Sequence, residues 1–368
     1  MPVSRKISST QQLQTSQVPA VQYMMMSILS FMSLESVLAI LSQDSPPLKN
    51  LAPQVRKQTL DELGALGLGL NTYNRQTLAS SLNGEYIWQE GSSKLYEYPG
   101  RGKPMLFVPS LINKPNILDL SEQHSLLLRL NELDIKPYLL DWGAPGNDEL
   151  GYSLDDYINR LVRCMKFIGK TTLAGYCMGG QLALAAAILA DQYIDRLITI
   201  ATPWDFTNSY LPKNSLWWQS FENLPDPVPA TFIQNMFYLS DFSNINQKFI
   251  KYGQGNFAND EFVMIENWVN DGVPMSKNLL RACMEGFVKN NILVRGQWRV
   301  NGVSINPKML KAPVLCAIAD NDKIAPKNSC MALYYRLKQS RLFTCSSGHI
   351  GMIINPKYQL AESIAGFL

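Results

Sequence analysis

Two hydrophobic rhythms alternate along the chain from Met105 onward. Short, almost continuous apolar runs are separated by stretches in which apolar residues recur every three or four positions. The runs are MLFVPS (105–110), PYLLDWG (137–143), TTLAGYC (171–177), RLITIATP (196–203), APVLCAIAD (312–320) and RLFTCSS (341–347). Such runs read as strands buried on both faces, so the alternation predicts an α/β fold with a mostly parallel sheet and helices on both faces. One helix is explicit. Leu154, Tyr157, Ile158, Leu161, Val162, Met165 and Ile168 repeat at helical spacing, Ser153 and Asp156 form a capping-box start, and Gly169 ends it.

The alternation stops between Pro203 and about Pro307. A stretch of roughly a hundred residues rich in Trp, Phe, Asn and Pro is too long for a loop and predicts an inserted cap or lid. The expected layout is an N-terminal helical or extended region over 1–93, the first part of the core over 94–203, the cap over 204–307 and the second part of the core over 308–368. Near the N-terminus, VQYMMMSILSFMSLESVLAIL (21–41) is long and apolar, but Gln22, Glu35 and several serines interrupt it, and Arg5 and Lys6 lie well upstream. This pattern predicts an amphipathic helix that packs on the main domain or touches an apolar surface, rather than an export signal or a membrane span.

Composition narrows the chemistry. A chain of 368 residues with 46% hydrophobic positions can bury a large core, and 33 basic against 30 acidic residues give no electrostatic argument for nucleic acid. The six cysteines, 164, 177, 283, 316, 330 and 345, are scattered without CxxC pairs. They read as reduced thiols of a cytoplasmic protein, with no metal site.

The corner GYCMGG stands where an apolar strand meets a helical run. Gly175, Gly179 and Gly180 are small where a tight turn must hold an exposed side chain against a sheet. Cys177 is therefore either the nucleophile of a strand-to-helix elbow or a small buried core residue. A nucleophile needs a base, and there are two histidines. His124, in SEQHSLLLRL, lies in an apparent amphipathic helix with no catalytic pattern nearby, whereas His349, in SSGHIG, follows a late strand, where the base of an α/β-hydrolase triad belongs. The acid should follow another late strand, and AIADNDKIAP offers Asp322, with Asp320 as a turn- or helix-capping alternative. The Met178 N–H, together with that of Leu111 or Ile112 in VPSLINKPNILDL, would form an oxyanion hole. Asn113 could orient that loop, and Asp141 and Trp142 in DWGAPG end another strand on the same edge.

Taken together, VPSLINKPNILDL, LLDWGAP, YSLDDYINRLVRCMKFI, GYCMGG, IATPWDF, IENWVNDGVP, DNDKIAP and SGHIG resemble the polyhydroxyalkanoate synthases, from about residue 94 to the C-terminus. The short chain is most similar to the catalytic subunits that work with a second small protein. The resemblance implies an α/β-hydrolase fold and a cysteine acyltransferase that polymerises (R)-3-hydroxyacyl-CoA, such as 3-hydroxybutyryl-CoA, into polyester with release of CoA. It places the nucleophile on Cys177, the acid on Asp322 and the base on His349. It needs no cofactor, and it implies a homodimer when active, with Trp268 of the cap in dimer contacts. It also implies a possible second synthase subunit and a cytoplasmic protein at the surface of polyester granules. One position departs from the pattern, because the histidine common just after the catalytic Asp is here Lys323. A polyester depolymerase or acyl thioesterase would use the same triad, and an inactive granule- or partner-binding homologue would keep the fold alone.

Overall fold

The computed structural model describes residues 33–34, 46–74, 82–209, 211, 215–240, 242–256 and 259–368. Most of the predicted N-terminal helix over 21–41 therefore lies outside the described residues. The described chain divides into two compact units. One is built from Ser80–Ser240 and Gly272–Leu368, and the other from the chain up to Ala79 with Asp241–Asp271.

The larger unit carries an eight-stranded sheet: β1 (Glu85–Glu90), β2 (Ser93–Glu97), β3 (Lys103–Val108), β4 (Ile135–Asp141), β5 (Thr171–Tyr176), β6 (Ile194–Ile200), β9 (Val314–Ala319) and β10 (Ser340–Cys345). A separate two-stranded ribbon pairs β7 (Arg299–Val300) with β8 (Val303–Ser304). The sheet order is β1-β2-β4-β3-β5-β6-β9-β10. In this sheet strand β2 pairs antiparallel with β1 and β4, and every other pairing is parallel, whereas the β7–β8 ribbon is antiparallel. All six strands expected from apolar runs are present. Strands β5 and β9 are buried at every position, as a sheet covered on both faces requires.

The sheet starts earlier than residue 94. The β1–β2 hairpin places Glu85 in the same sheet, and β1 (EYIWQE) is mostly exposed or half-buried. An edge strand of this kind needs no continuous apolar run, which is why the pattern of core strands passed over it. The helix Leu154–Ile168 forms as predicted. Ser153 N–H and Oγ both reach Asp156 Oδ2, at 2.8 and 2.7 Å, and Gly169 takes φ 94° at the C-cap.

The segment expected to be one cap is shared between the units. Helices Ser215–Glu222 and Ala230–Ser240 belong to the larger unit, whereas Phe242–Gly253 and Asn259–Asn270 belong to the smaller one with the helix Pro46–Asn74. Within the smaller unit two backbones approach closely. A Cβ on Gly69 would stand 2.1 Å from the Phe249 carbonyl oxygen, and one on Gly253 would stand 2.1 Å from that of Ala65. Only glycine permits that crossing. Asn270 Nδ2 donates to Tyr73 Oη at 3.2 Å, and Lys248 Nζ lies 2.6 Å from the buried Glu266. Among the described residues, no helix is long and apolar enough to cross a membrane.

Candidate active site

Strand β5 ends at Tyr176, and the helix Met178–Leu189 begins two residues later, so Cys177 has to turn the chain by itself. It does so at φ 55° and ψ −128°, a conformation that L-residues rarely adopt. The turn is held from both sides: Cys177 N–H donates to the Ile200 carbonyl at 2.8 Å, and Gly180 N–H donates to the Cys177 carbonyl at 3.0 Å. The flanking glycines are needed for contact. A Cβ on Gly175 would meet Gly180 Cα at 2.3 Å, and one on Gly179 would meet the Val108 carbonyl oxygen at 2.0 Å. The start of the helix is thereby pressed against the end of β3, where the VPSLIN loop begins.

The structure answers whether Cys177 is core filler. All six cysteines are free, and five are buried, but Cys177 is only half-buried. Burial pushes the thiols of Cys164 and Cys330 well up, Cys283 up to about 12, and Cys316 and Cys345 up to about 11. Those five stay protonated and closed off. Cys177 instead stands at a helix N-terminus, where backbone N–H groups point outward and favour negative charge.

His349 and Asp322 come together as a buried pair, 8% and 4% exposed, with Nδ1 2.6 Å from Oδ2. The other carboxylate oxygen, Oδ1, accepts from the N–H groups of Ile324 and Ala325, both at 2.8 Å. Both Asp322 oxygens are thus committed, and the imidazole is fixed in orientation. Burial alone draws His349 toward its neutral form. The Asp322 and Cys177 charges, with side-chain hydrogen bonds to both, outweigh it and push the pKa from 6.5 up to about 10. Asp320 is elsewhere: its carboxylate pairs with Lys327 Nζ at 2.7 Å on a partly exposed surface. Lys323 is exposed.

His124 does not lie in a helix. The helix Leu126–Glu132 starts only after Ser125, whose Oγ accepts from Leu128 N–H and caps it. His124 precedes it in a turn, with Nδ1 3.3 Å from the Ile354 carbonyl. That backbone contact leaves His349 as the histidine beside the elbow.

The loop after β3 is fixed by three contacts. Trp142 Nε1 donates to the Pro109 carbonyl at 3.0 Å, Val273 N–H donates to the Ile112 carbonyl at 2.9 Å, and Asn113 bridges to Gly272. Ile112 N–H donates to Ser110 Oγ at 3.2 Å, so the structure commits that donor within its own turn. Asp141 Oδ1 accepts from Gly143 N–H, and burial raises its pKa. It closes the DWG turn, while Trp142 is the part of that motif that reaches the loop. Trp268 is buried in the helix Asn259–Asn270 of the smaller unit.

Sequence reading missed a second buried polar cluster. Arg160, 1% exposed, places Nη2 2.5 Å from Glu149 Oε1 and donates from Nη1 to Ser93 Oγ at 2.9 Å. Glu149 also accepts from the Ser92 and Gly146 N–H groups at 3.0 Å. A signal was available: Arg160 sits three residues after Tyr157, beside the apolar face of its helix.

Comparison with known proteins follows the same lines. A family model described as the alpha/beta hydrolase fold matches residues 143–356. The poly(3-hydroxyalkanoate) polymerase subunit PhaC of Allochromatium vinosum is 27% identical over 336 residues, covering 83% of this chain and 94% of that protein. PhaC of a Synechocystis species is 27% identical over 321 residues, covering 77% and 83%. A solved alpha/beta fold family hydrolase of Bacillus anthracis, 16% identical, superposes with a TM-score of 0.50 over 78% of this chain and 99% of its own. The relatives carry the family name that the motif blocks suggest, and the fold expected from the alternation is the one found.

Proposed function

Because the chain belongs to the α/β-hydrolase family, we propose that it uses this family's elbow, with cysteine as nucleophile, to run a polyhydroxyalkanoate synthase reaction. Relatives named poly(3-hydroxyalkanoate) polymerase, an acyltransferase, support that reading over most of the chain. The observation that carries it here is that the single half-exposed cysteine stands on a strained elbow in electrostatic contact with a histidine already oriented by a buried Asp.

In this reading the proton of the Cys177–His349 pair rests on the imidazole, whose raised pKa favours holding it, and the cysteine sulfur attacks the carbonyl of (R)-3-hydroxyacyl-CoA, 3-hydroxybutyryl-CoA being the short-chain case. The C–S bond to CoA breaks as the C–S bond to Cys177 forms, so one thioester replaces another at little cost in energy. The developing oxyanion is met by Met178 N–H at the helix N-terminus and by Leu111 N–H from the loop after β3. The proton held by His349 passes to the departing CoA thiolate, and the neutral imidazole then takes the proton of a 3-hydroxyl group, whose oxygen attacks the acyl-enzyme. The ester forms as the acyl–sulfur bond to Cys177 breaks, and the proton now on His349 is the one shared again with the released Cys177 sulfur. Asp322 holds the imidazole throughout. No cofactor enters this chemistry.

Hydrolysis by the same triad differs only in the attacking oxygen. The test is to incubate the protein with 3-hydroxybutyryl-CoA, with and without candidate partner subunits, and to analyse the product. Polyester with stoichiometric CoA release is expected, and free 3-hydroxybutyrate alone would reassign the protein as a thioesterase. Homodimerisation, a second subunit and residence at a cytoplasmic granule surface form part of the proposal. Light scattering and co-purification with polyester test them separately.

A further inference from the structure

Tyr176, the residue before the nucleophile, has no place in the chemistry above, yet it touches the base directly. It is 2% exposed at the end of β5, and its Oη donates to the backbone carbonyl of His349 at 3.2 Å. Its ring lies over the imidazole, with centroids 5.0 Å apart and planes inclined by 34°. We propose that Tyr176 is the positioning residue of His349: its hydroxyl tethers the histidine's main chain, and its ring supports the imidazole whenever that ring carries the proton taken from Cys177. The proposal rests on the synthase reading for its catalytic consequence, but not for its geometry.

The physical case has two parts. His349 sits in a glycine-flanked loop between β10 and the short helix Gly351–Ile354, where the Asp322 contact fixes only the side chain. A second anchor on the carbonyl removes rotation of the residue about that single bond, and it comes from the strand that also carries Cys177. The distance between base and nucleophile is then set by one rigid element. The ring supplies the other part, because a π face near a cation attracts it more strongly when water is excluded.

The groups facing the imidazole are Asp322 from the turn after β9, Cys177 from the elbow and Tyr176 from β5. The Cys330 thiol, within electrostatic reach of Asp322 and Cys177, is kept protonated by its burial. Burial, with the Cys177 and Asp322 charges, also raises the phenol's pKa well above its ordinary value, so Tyr176 remains a donor throughout the working range.

Two variants of the full chain separate the parts. Tyr176→Phe keeps the ring and removes the tether. It is expected to lower kcat for CoA release about five-fold, the loss of one ordinary hydrogen bond, with KM within about two-fold. Its His349 titration, read from the imidazole NMR resonances, should match wild type. Tyr176→Leu removes both parts, and should lower kcat further and move the His349 midpoint down by about half a unit. Because the chain has two histidines, the resonances are assigned by comparison with His124→Asn. Wild-type kcat in Tyr176→Phe, or an effect confined to the melting temperature in both variants, would overturn the proposal. Should Tyr176→Leu fail to fold, kcat and KM of Tyr176→Phe decide alone. If wild type itself releases no CoA, the synthase reading fails, and the imidazole titrations still decide the role of the tyrosine.

Discussion

Two buried polar clusters lie at the carboxyl edge of the same sheet, and they differ in one respect. In the Glu149–Arg160 cluster each carboxylate oxygen has a donor, and the guanidinium reaches Glu149 and Ser93, with Nε 3.5 Å from Glu90. The Asp322–His349 pair is built just as tightly, with both carboxylate oxygens committed, but its far side faces the half-exposed thiol of Cys177 on strained backbone. A buried charge network that closes on itself is scaffold, whereas one that ends at a single accessible nucleophile can do chemistry. The Glu149–Arg160 cluster still serves the site, because Ser92 and Ser93 Oγ donate to the Trp142 carbonyl and Trp142 holds the loop after β3.

The comparison sets the order of expected effects. Cys177→Ala should abolish CoA release, a loss of roughly 10⁴-fold or more, with an unchanged circular dichroism spectrum. Asp322→Asn should cost roughly 10³–10⁴-fold by releasing the imidazole, while Asp320→Asn should stay within about three-fold in the same CoA-release assay. The reverse ranking would move the acid to Asp320. Next comes the scaffold. Glu149→Gln leaves Arg160 as a buried, poorly paired charge and should cost about 3–5 kcal/mol in urea unfolding, with the remaining folded protein still alkylated at Cys177. If Glu149→Gln instead abolished alkylation at full stability, the division between scaffold and chemistry would fail.

Smaller effects sharpen the same division. Trp142→Phe keeps the packing but removes the hydrogen bond to Pro109, and should lower kcat about five- to ten-fold with little change in KM. The pH dependence has a definite sign. The folded state raises the His349 pKa from 6.5 to about 10, so the stability that its pairing contributes is fully present below about pH 6.5 and is lost as pH rises through about 10. Cys177→Ala and Asp322→Asn should each lower the imidazole NMR midpoint, Asp322→Asn by more.

Core strands were legible because a doubly covered strand must be apolar at nearly every position, and the contact of His349 with Asp322 could be anticipated because the fold brings the loops after its late strands together. Asp322 was harder to separate from Asp320, since both follow β9, and only the three-dimensional turn places one on His349. The β1–β2 hairpin escaped because exposed edge residues such as Glu85 and Gln89 carry no hydrophobic signal. The pairing of helix Pro46–Asn74 with residues 242–253 escaped because its cause is two distant glycines, Gly69 and Gly253, each unremarkable alone. The hydrogen bond from Ile112 N–H to the Ser110 hydroxyl two residues back was likewise not legible, because it depends on the local turn.

The account depends most on Cys177 being the atom that receives the acyl group. Brief exposure of the full chain to 3-hydroxybutyryl-CoA, acid quench and peptide mass spectrometry reads this directly. One hydroxybutyryl unit or a short oligomer on the Cys177 peptide is expected in wild type, and none in Cys177→Ala. Acylation at another residue, or sustained CoA release from Cys177→Ala, would contradict the account.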